Sequence, residues 1–509
     1  MSVSKHWIPS LIAATLVAVA STCMDFPAPG PDDLFYINPG IHLAKYGQLR
    51  NPLLDAQGFL SKDFLIYPPL FQYLLAGWLS VFGVSTVSIL SFINLMYAGA
   101  ALLLASIIRC EFSLSTPSWI STILFQVALL LSLGSAGLRP DPCGLFILFS
   151  SIALRSTVRS NGVRFLEFLK SYAAWLLAGS ALLVSPNMLP YALALIGVQV
   201  GIRWRMICGN FRNEGAALFL AIVTSLFLFT IMIGGRFIEF SDAFSHHARR
   251  AILPVSQSIQ LGFIRAFQNP KSMLLLVIAS VLMLLALLTR TRSGAVLQSE
   301  VKAKVWLSAW SAAGFASLAT TWIRSELRWM TVIIAGLIAA QCLVVWGTFK
   351  RVALALGGLL IACAFWIVDP FYPHFIGDAI PTKSQREWAR EITSREAHRT
   401  FLIDSIAARY AFDFNLPTNS LDWFFSQPFP GVYPPSLEQL STDQTWIVGG
   451  RFLRLAVPHA YGFEPWIALG CIDTMRLRKD WHLFVADRRI PSFFSASDNV
   501  EVNRIFKAP

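Results

Sequence analysis

Residues 86–108 read TVSILSFINLMYAGAALLLASII, a run without a single Asp, Glu, Lys or Arg that ends at Arg109. A bilayer core of about 30 Å takes roughly 20 residues of helix, so a run of this kind is suited to lipid rather than to a water-soluble core. Lipid offers no partner to an open sheet edge, which makes the run a helix, and its length excludes a barrel strand. Comparable runs lie near 7–24, 118–137, 142–157, 172–187, 188–203, 215–234, 272–289, 305–323, 329–346 and 352–368. Together they predict a polytopic α-helical membrane protein of about eleven transmembrane helices. The runs from 142 to 203 are short, and Pro186 with Asn187 interrupts a longer apolar stretch, so that region admits a re-entrant or tilted pair.

Composition points the same way. The 509 residues are 55% hydrophobic with 39 Phe and 16 Trp, against 14% charged, which is more apolar side chain than one soluble core encloses. A net charge of +12 would suggest nucleic acid in a soluble chain. Here the basic residues sit mainly in short loops between apolar runs, so the charge is a topology signal and nucleic acid is set aside as a partner. The seven cysteines follow no CxxC or His-linked spacing, so neither a disulfide framework nor a zinc site is indicated. Lys5 followed by the first apolar run, with no A-x-A site at its end, reads as an uncleaved signal-anchor.

Lys and Arg near span ends are retained in the cytoplasm. One set of loops carries Lys5, Arg109, Arg155, Arg159, Arg164, Lys170 and their equivalents around 203–212, 290–304 and 350–351, against only Glu111, Glu167, Glu214 and Glu300. That set is cytoplasmic. The outer face then receives the loop 25–85, the turn 138–141, the segment 235–271, the turn 324–328 and everything after 369. Within the first of these, DLFYINPGIHLAKYG at 33–47 reads as a short helix stopped at Gly47. YPPLFQYLLAGWLSVFG at 67–83 reads as a surface-lying apolar helix begun by Pro68 and Pro69. The segment 235–271 contains DAFSHHARRAIL, a further surface helix. After Asp369 charge density rises. Stretches 399–406, 446–450 and 482–486 read as strands, with SQREWAREI and PSLEQL as helical pieces, giving a small soluble α/β domain at 370–509 beside a membrane domain at 1–369.

The outer face also collects the chemically useful residues. Asp32 and Asp33, in PAPGPDDLFY, suit a general base or a metal, or else form a cap for the helix that follows. Asp141 with Arg139, in the turn GLRPDP, reads as an ion pair or helix cap, or as an acceptor-side carboxylate beside a phosphate-binding cation. Arg324 and Arg328 run against the positive-inside trend and fit either a phosphodiester headgroup or snorkelling anchors. His246, His247, Arg249, Arg250 and Lys62 are further candidates, although the two histidines lack a third spaced metal ligand. A carboxylate plus cations at headgroup depth is the equipment for attack on a lipid-linked sugar phosphate. The base takes the acceptor proton and the cations stabilise the departing lipid phosphate.

These motifs, in this order, resemble the polyprenyl-phosphate-sugar-dependent glycosyltransferases of the GT-C class, which include protein O-mannosyltransferase-like and aminoarabinose-transferase-like enzymes. The residues carrying the resemblance are Asp32-Asp33 with Phe35-Tyr36, Ala44, Gly47, Tyr67-Pro68-Pro69-Leu70, Phe82-Gly83, Leu138-Arg139-Pro140-Asp141 and Arg328-Trp329. They fall mainly in the first 200 residues. Three positions depart from the family pattern: Asp-Asp stands for Asp-Glu, Tyr67 for a lysine and Trp329 for a tyrosine. The resemblance implies a GT-C fold and sugar transfer from a polyprenyl phosphate to a glycan, lipid or protein acceptor. It places the base on Asp33 or Asp32, with Asp141 as a supporting or acceptor-side carboxylate. The phosphate contact of the missing lysine would pass to Lys62 or to an arginine among Arg139, Arg249, Arg324 and Arg328. Metal dependence varies in the family, so a divalent metal stays open. A bacterial inner membrane with the C-terminal domain outside is the expected location. Two other readings compete: an O-antigen polymerase or ligase, with its essential residues at 235–271, and a transporter or lipid flippase, which would place ionisable residues at mid-bilayer and repeat its halves.

Overall fold

The computed structural model describes residues 4–368, apart from 25, 28–32, 52–64, 113–117, 135–136, 158–163, 203, 205–207, 209–210, 252–259, 261–269, 290–293, 321–324 and 348, together with four short strands after residue 400. Each of the eleven apolar runs lies on a helix. These are α1 (Ser4–Cys23), α4 (Thr86–Phe112), α5 (Ser118–Leu133), α6 (Asp141–Ser156), α7 (Arg164–Val184), α8 (Leu189–Ile202), α9 (Phe211–Met232), α11 (Pro270–Leu288), α12 (Gly294–Thr320), α13 (Ser325–Val345) and α14 (Lys350–Val368). Between them stand α2 (Asp33–Tyr46), α3 (Leu70–Phe82) and α10 (Phe237–Ala251). Among the described residues three helical stretches, Thr86–Phe112, Phe165–Val184 and Phe211–Met232, are long and apolar enough by themselves to cross a membrane, and six shorter apolar helices accompany them.

The local punctuation follows the residue chemistry. α2 ends where Gly47 turns to a φ of 70° and its N–H donates to the Leu43 carbonyl, a conformation that costs glycine nothing. α3 begins straight after Pro68 and Pro69, which lack the N–H groups that a first helical turn leaves unbonded. At Pro186 the chain leaves α7, makes a 3-10 turn over Pro186–Met188 and continues as α8, so the break read from the sequence joins two separate helices.

α4 is the inner helix of the first half, packed by α1, α5, α6 and α3. α13 plays that part in the second, against α5, α11, α12 and α14. Polar side chains stitch the apolar bundle together, since a buried donor without a partner is costly. Ser10 on α1 meets Ser118 on α5 at 2.7 Å, the Gln126 amide donates to the Ala14 carbonyl at 3.1 Å, and the Ser121 hydroxyl donates to Gln341 at 3.1 Å. α9 lies at the edge on α7 and turns Phe219, Leu226 and Phe227 outward, as a helix facing acyl chains does.

All four acidic residues assigned to the basic end of the bundle pair with a cation of the same set. Arg155 on α6 bonds Glu214 on α9 at 3.0 Å, where Glu214 also accepts the Ser171 hydroxyl at 2.7 Å and the Arg155 guanidinium stacks over Trp175 at 4.2 Å. Lys302 lies 3.6 Å from Glu111, whose other oxygen receives the Gln199 amide at 3.3 Å. Lys304 bonds Glu300 and Lys170 bonds Glu167, each at 2.7 Å. These contacts gather one end of α4, α6, α7, α8, α9 and α12.

After residue 400 the strands β1 (Phe401–Ile403), β2 (Thr418–Ser420), β3 (Trp446–Gly449) and β4 (His482–Phe484) form a sheet of order β2-β1-β3-β4. β1 runs parallel to β2 and β3, and β4 is antiparallel to β3. Three of these strands lie inside the stretches that read as strands in the sequence. SQREWAREI and PSLEQL lie outside the described residues.

Candidate active site

Asp141 opens α6 directly after Pro140 and is 1% exposed. A carboxylate there meets the positive end of the helix dipole and the unbonded N–H groups of the first turn. The chain break at Pro186 supplies two more donors. The Ser185 hydroxyl gives a hydrogen bond to Asp141 Oδ1 at 2.7 Å and the Asn187 amide a second to the same atom at 3.2 Å. Close approach of the break to α6 depends on Gly144, where a Cβ would come within 2.7 Å of the Met188 side chain. The aspartate is therefore fixed between two helix ends before any ligand arrives.

Two further links place the other motifs at this end. One turn beyond Asn187, the Tyr191 hydroxyl meets the Thr331 hydroxyl at 2.7 Å, and the Trp310 indole N–H donates to the Thr331 carbonyl at 3.0 Å. Thr331 stands one turn after Arg328, so the second turn of α13, next to that of Arg328, is tied to the break that holds Asp141. On the other side, the chain leaving α1 is pinned at Phe26, whose carbonyl accepts the buried Asn94 amide at 2.8 Å. Its ring covers Gly134 so closely that a Cβ there would lie 2.7 Å from Phe26 Cζ. The stretch that runs on to Asp32 and Asp33 and the stretch that runs on to Arg139 and Asp141 thus start from one contact.

Asp33 is the first residue of α2. One turn later the buried Tyr36 hydroxyl points to the Tyr67 hydroxyl at 3.4 Å, with ring centroids 5.5 Å apart. The tyrosine that stands in place of the family lysine is therefore brought to the turn following Asp33. Gly40 allows the approach of α2 to α3, since a Cβ there would be 2.9 Å from Leu75. Asn38 donates to Asn51 at 2.9 Å and His42 Nδ1 lies 3.1 Å from the Gln48 carbonyl, which folds the chain back under α2. On the same helix, partial burial pulls the Lys45 ammonium below the ordinary lysine range. α3 is joined to α9 where the Tyr73 hydroxyl donates to the Met232 carbonyl at 3.2 Å.

Of the candidates, Arg139 lies in the described turn and Asp141, two residues on, opens α6. Asp33, Arg328 and Arg249 occupy helical positions on α2, α13 and α10. Asp32, Lys62 and Arg324 lie outside the described residues. Ser185, Asn187, Tyr191 and Thr331 were not singled out from the sequence as site residues. The signal for the first two was present in the polar Ser-Pro-Asn triplet that interrupts an otherwise apolar stretch.

The helices, three of which are long and apolar enough to cross a membrane, are arranged as in a solved membrane-protein structure. One solved structure with this fold is that of ArnT from Cupriavidus metallidurans, crystallised bound to undecaprenyl phosphate. It matches over 90% of this chain and 95% of its own, with a TM-score of 0.50 at 12% identity. The apo form of the same protein matches over the same shares, with a TM-score of 0.47 at 13% identity. No protein-family model matches the chain, and no curated protein matches it by sequence.

Proposed function

We propose that the protein is a membrane glycosyltransferase that moves a sugar from a polyprenyl-phosphate donor to a glycan, lipid or protein acceptor on the outer face of a bacterial inner membrane. Residues 1–369 form its catalytic membrane domain, with about eleven spans and the outer loop 25–85, and residues 370–509 a soluble domain on the same outer side. The observation that carries this reading is convergence within a GT-C fold. The buried Asp141, the helix turn of Arg328, and the chain leading into Asp32 and Asp33 are linked to one end of the bundle through Asn187, Thr331 and Phe26.

In this reading Asp33, with Asp32 beside it, takes the proton from the acceptor hydroxyl as its oxygen attacks the anomeric carbon. The bond from that carbon to the phosphate oxygen breaks, and the polyprenyl phosphate leaves with the bonding pair. Arg328, Arg324, Arg139, Arg249 and Lys62 are the cations available to that phosphate. Asp141, already engaged by Ser185 and Asn187, orients the acceptor or the arginine beside it.

The test is transfer by the purified protein from a panel of radiolabelled polyprenyl-phosphate sugars. Asp33→Asn is expected to lose about 10²–10⁴-fold in rate with folding retained. Unchanged transfer in both Asp33→Asn and Asp32→Asn would remove the base assignment. A wild type inactive across the panel but moving lipid between vesicle leaflets would replace the enzyme with a flippase.

A further inference from the structure

Gln199 of α8 and Lys302 and Trp306 of α12 converge on the last turn of α4, at the basic end of the bundle and away from the proposed transfer site. The Gln199 amide donates to Glu111 Oε1 at 3.3 Å, and Lys302 Nζ lies 3.6 Å from Oε2 of the same carboxylate. The Trp306 ring, one turn after Lys302, stands edge-on to Phe112 with 6.4 Å between centroids. Gln199 is 0% exposed and Trp306 2%. Each nevertheless keeps a polar atom unserved. Among the described residues neither Gln199 Oε1 nor the Trp306 indole N–H has a hydrogen-bond partner. Buried groups of this kind are bonded in native proteins, either to protein or to held water. The ion pair beside them is also long. The other three acids of this end meet their cations at 2.7, 2.7 and 3.0 Å, close to a direct charge-assisted bond. At 3.6 Å, Glu111 and Lys302 stand where a bridging water serves both.

We infer that this junction is a water-binding site. A held water accepts the Trp306 N–H, donates to Gln199 Oε1 and turns its remaining capacity to the Glu111–Lys302 pair. The partners select this ligand, because together they require a small neutral molecule that both donates and accepts. A cation would suit Gln199 Oε1 and the carboxylate but be repelled by the indole N–H and by Lys302. An anion would suit those two and be repelled by Glu111. The Lys302 side chain, 32% exposed, marks the side from which water enters. Trp310, one turn further along α12, shows the dry alternative. It is 1% exposed, and its indole N–H is taken by the Thr331 carbonyl at 3.0 Å.

The test is radiolytic footprinting of the full chain in detergent micelles. An X-ray pulse splits water, and the hydroxyl radicals oxidise the side chains nearest to where that water was held. Peptide fragmentation in a mass spectrometer separates Trp306 from Trp310, two tryptophans of similar burial on one helix. Trp306 is expected to be oxidised several-fold faster than Trp310. Gln199→Leu takes away one partner of the water and is expected to bring the Trp306 rate down towards that of Trp310, with helix content unchanged. If that variant fails to fold, the comparison within the wild type decides alone. A Trp306 as protected as Trp310, which is what a dry junction or a bound ion would give, overturns the proposal. Equal and rapid oxidation of both tryptophans, or an unchanged Trp306 rate in folded Gln199→Leu, overturns it as well.

Discussion

Asp141 shows what a buried carboxylate needs. The Ser185 hydroxyl and the Asn187 amide both donate to one oxygen of this carboxylate, so removing either takes a hydrogen bond from a buried acid. Ser185→Ala is expected to cost about 1.5–3 kcal/mol, because hydrogen bonds to charged groups lie in that range, and to lower transfer as the aspartate loses its hold. Thermal unfolding in detergent and the transfer rate check the two parts separately. At Tyr67 the effect runs the other way. The 3.4 Å contact to Tyr36 is long for a hydroxyl pair, so the fold gains little from it. Under the proposed function, Tyr67→Lys is expected to lower the KM for the donor by adding the missing cation, read from transfer rates against donor concentration. Lys45 gives a pH test. Its value lies below the ordinary lysine range in the folded state, so burying its charge penalises the fold at pH below that folded value. The penalty is relieved as pH rises from there to the ordinary value. Amine labelling of Lys45 against pH is expected to show a midpoint below that of free lysine.

Elements were the most legible level of the sequence. Every run of apolar residues became a helix, and the stops at Gly47, Pro68-Pro69 and Pro186 fell where the residue chemistry puts them, because such signals act within a few positions. What holds one helix to another was not legible. Arg155 and Glu214 are 59 residues apart, and nothing local to either names the other. The same holds for Ser185 with Asp141 and for Tyr191 with Thr331, contacts that exist only once helices are packed. The resemblance to a known enzyme class supplied the motif order, and the structure supplied the links at Asn187, Thr331 and Phe26. At this scale Arg155→Met is expected to destabilise by about 3–5 kcal/mol, because it strands Glu214 with a buried charge. Adding Glu214→Gln to it is expected to restore much of the loss, measured as unfolding midpoints of the single and double variants.

For the molecule as a whole, the decisive question is which end faces outward. The native cysteines answer it without mutation. Cys23 closes α1 at the Asp32–Asp33 end, whereas Cys110 and Cys208 lie towards the basic end, and all three are exposed. A membrane-impermeant maleimide on intact cells is expected to label Cys23, and to reach Cys110 and Cys208 only after permeabilisation, read by peptide mass spectrometry. The reverse pattern would invert the positive-inside assignment.

The paired acids at the basic end also bear on how the protein is made. Glu111 leaves the ribosome long before its cation, since Lys302 follows roughly 190 residues later, a lag of roughly 10–40 s at ordinary translation speeds. Gln199, the other group on that carboxylate, is only 88 residues behind and emerges in less than half the time. The amide thus arrives as a placeholder, neutral enough to insert with α8 and polar enough to occupy the acid until the lysine is delivered. Assembly order is written into which partner comes first, and a nascent chain lacking Gln199 would lose the earlier of these two contacts to Glu111.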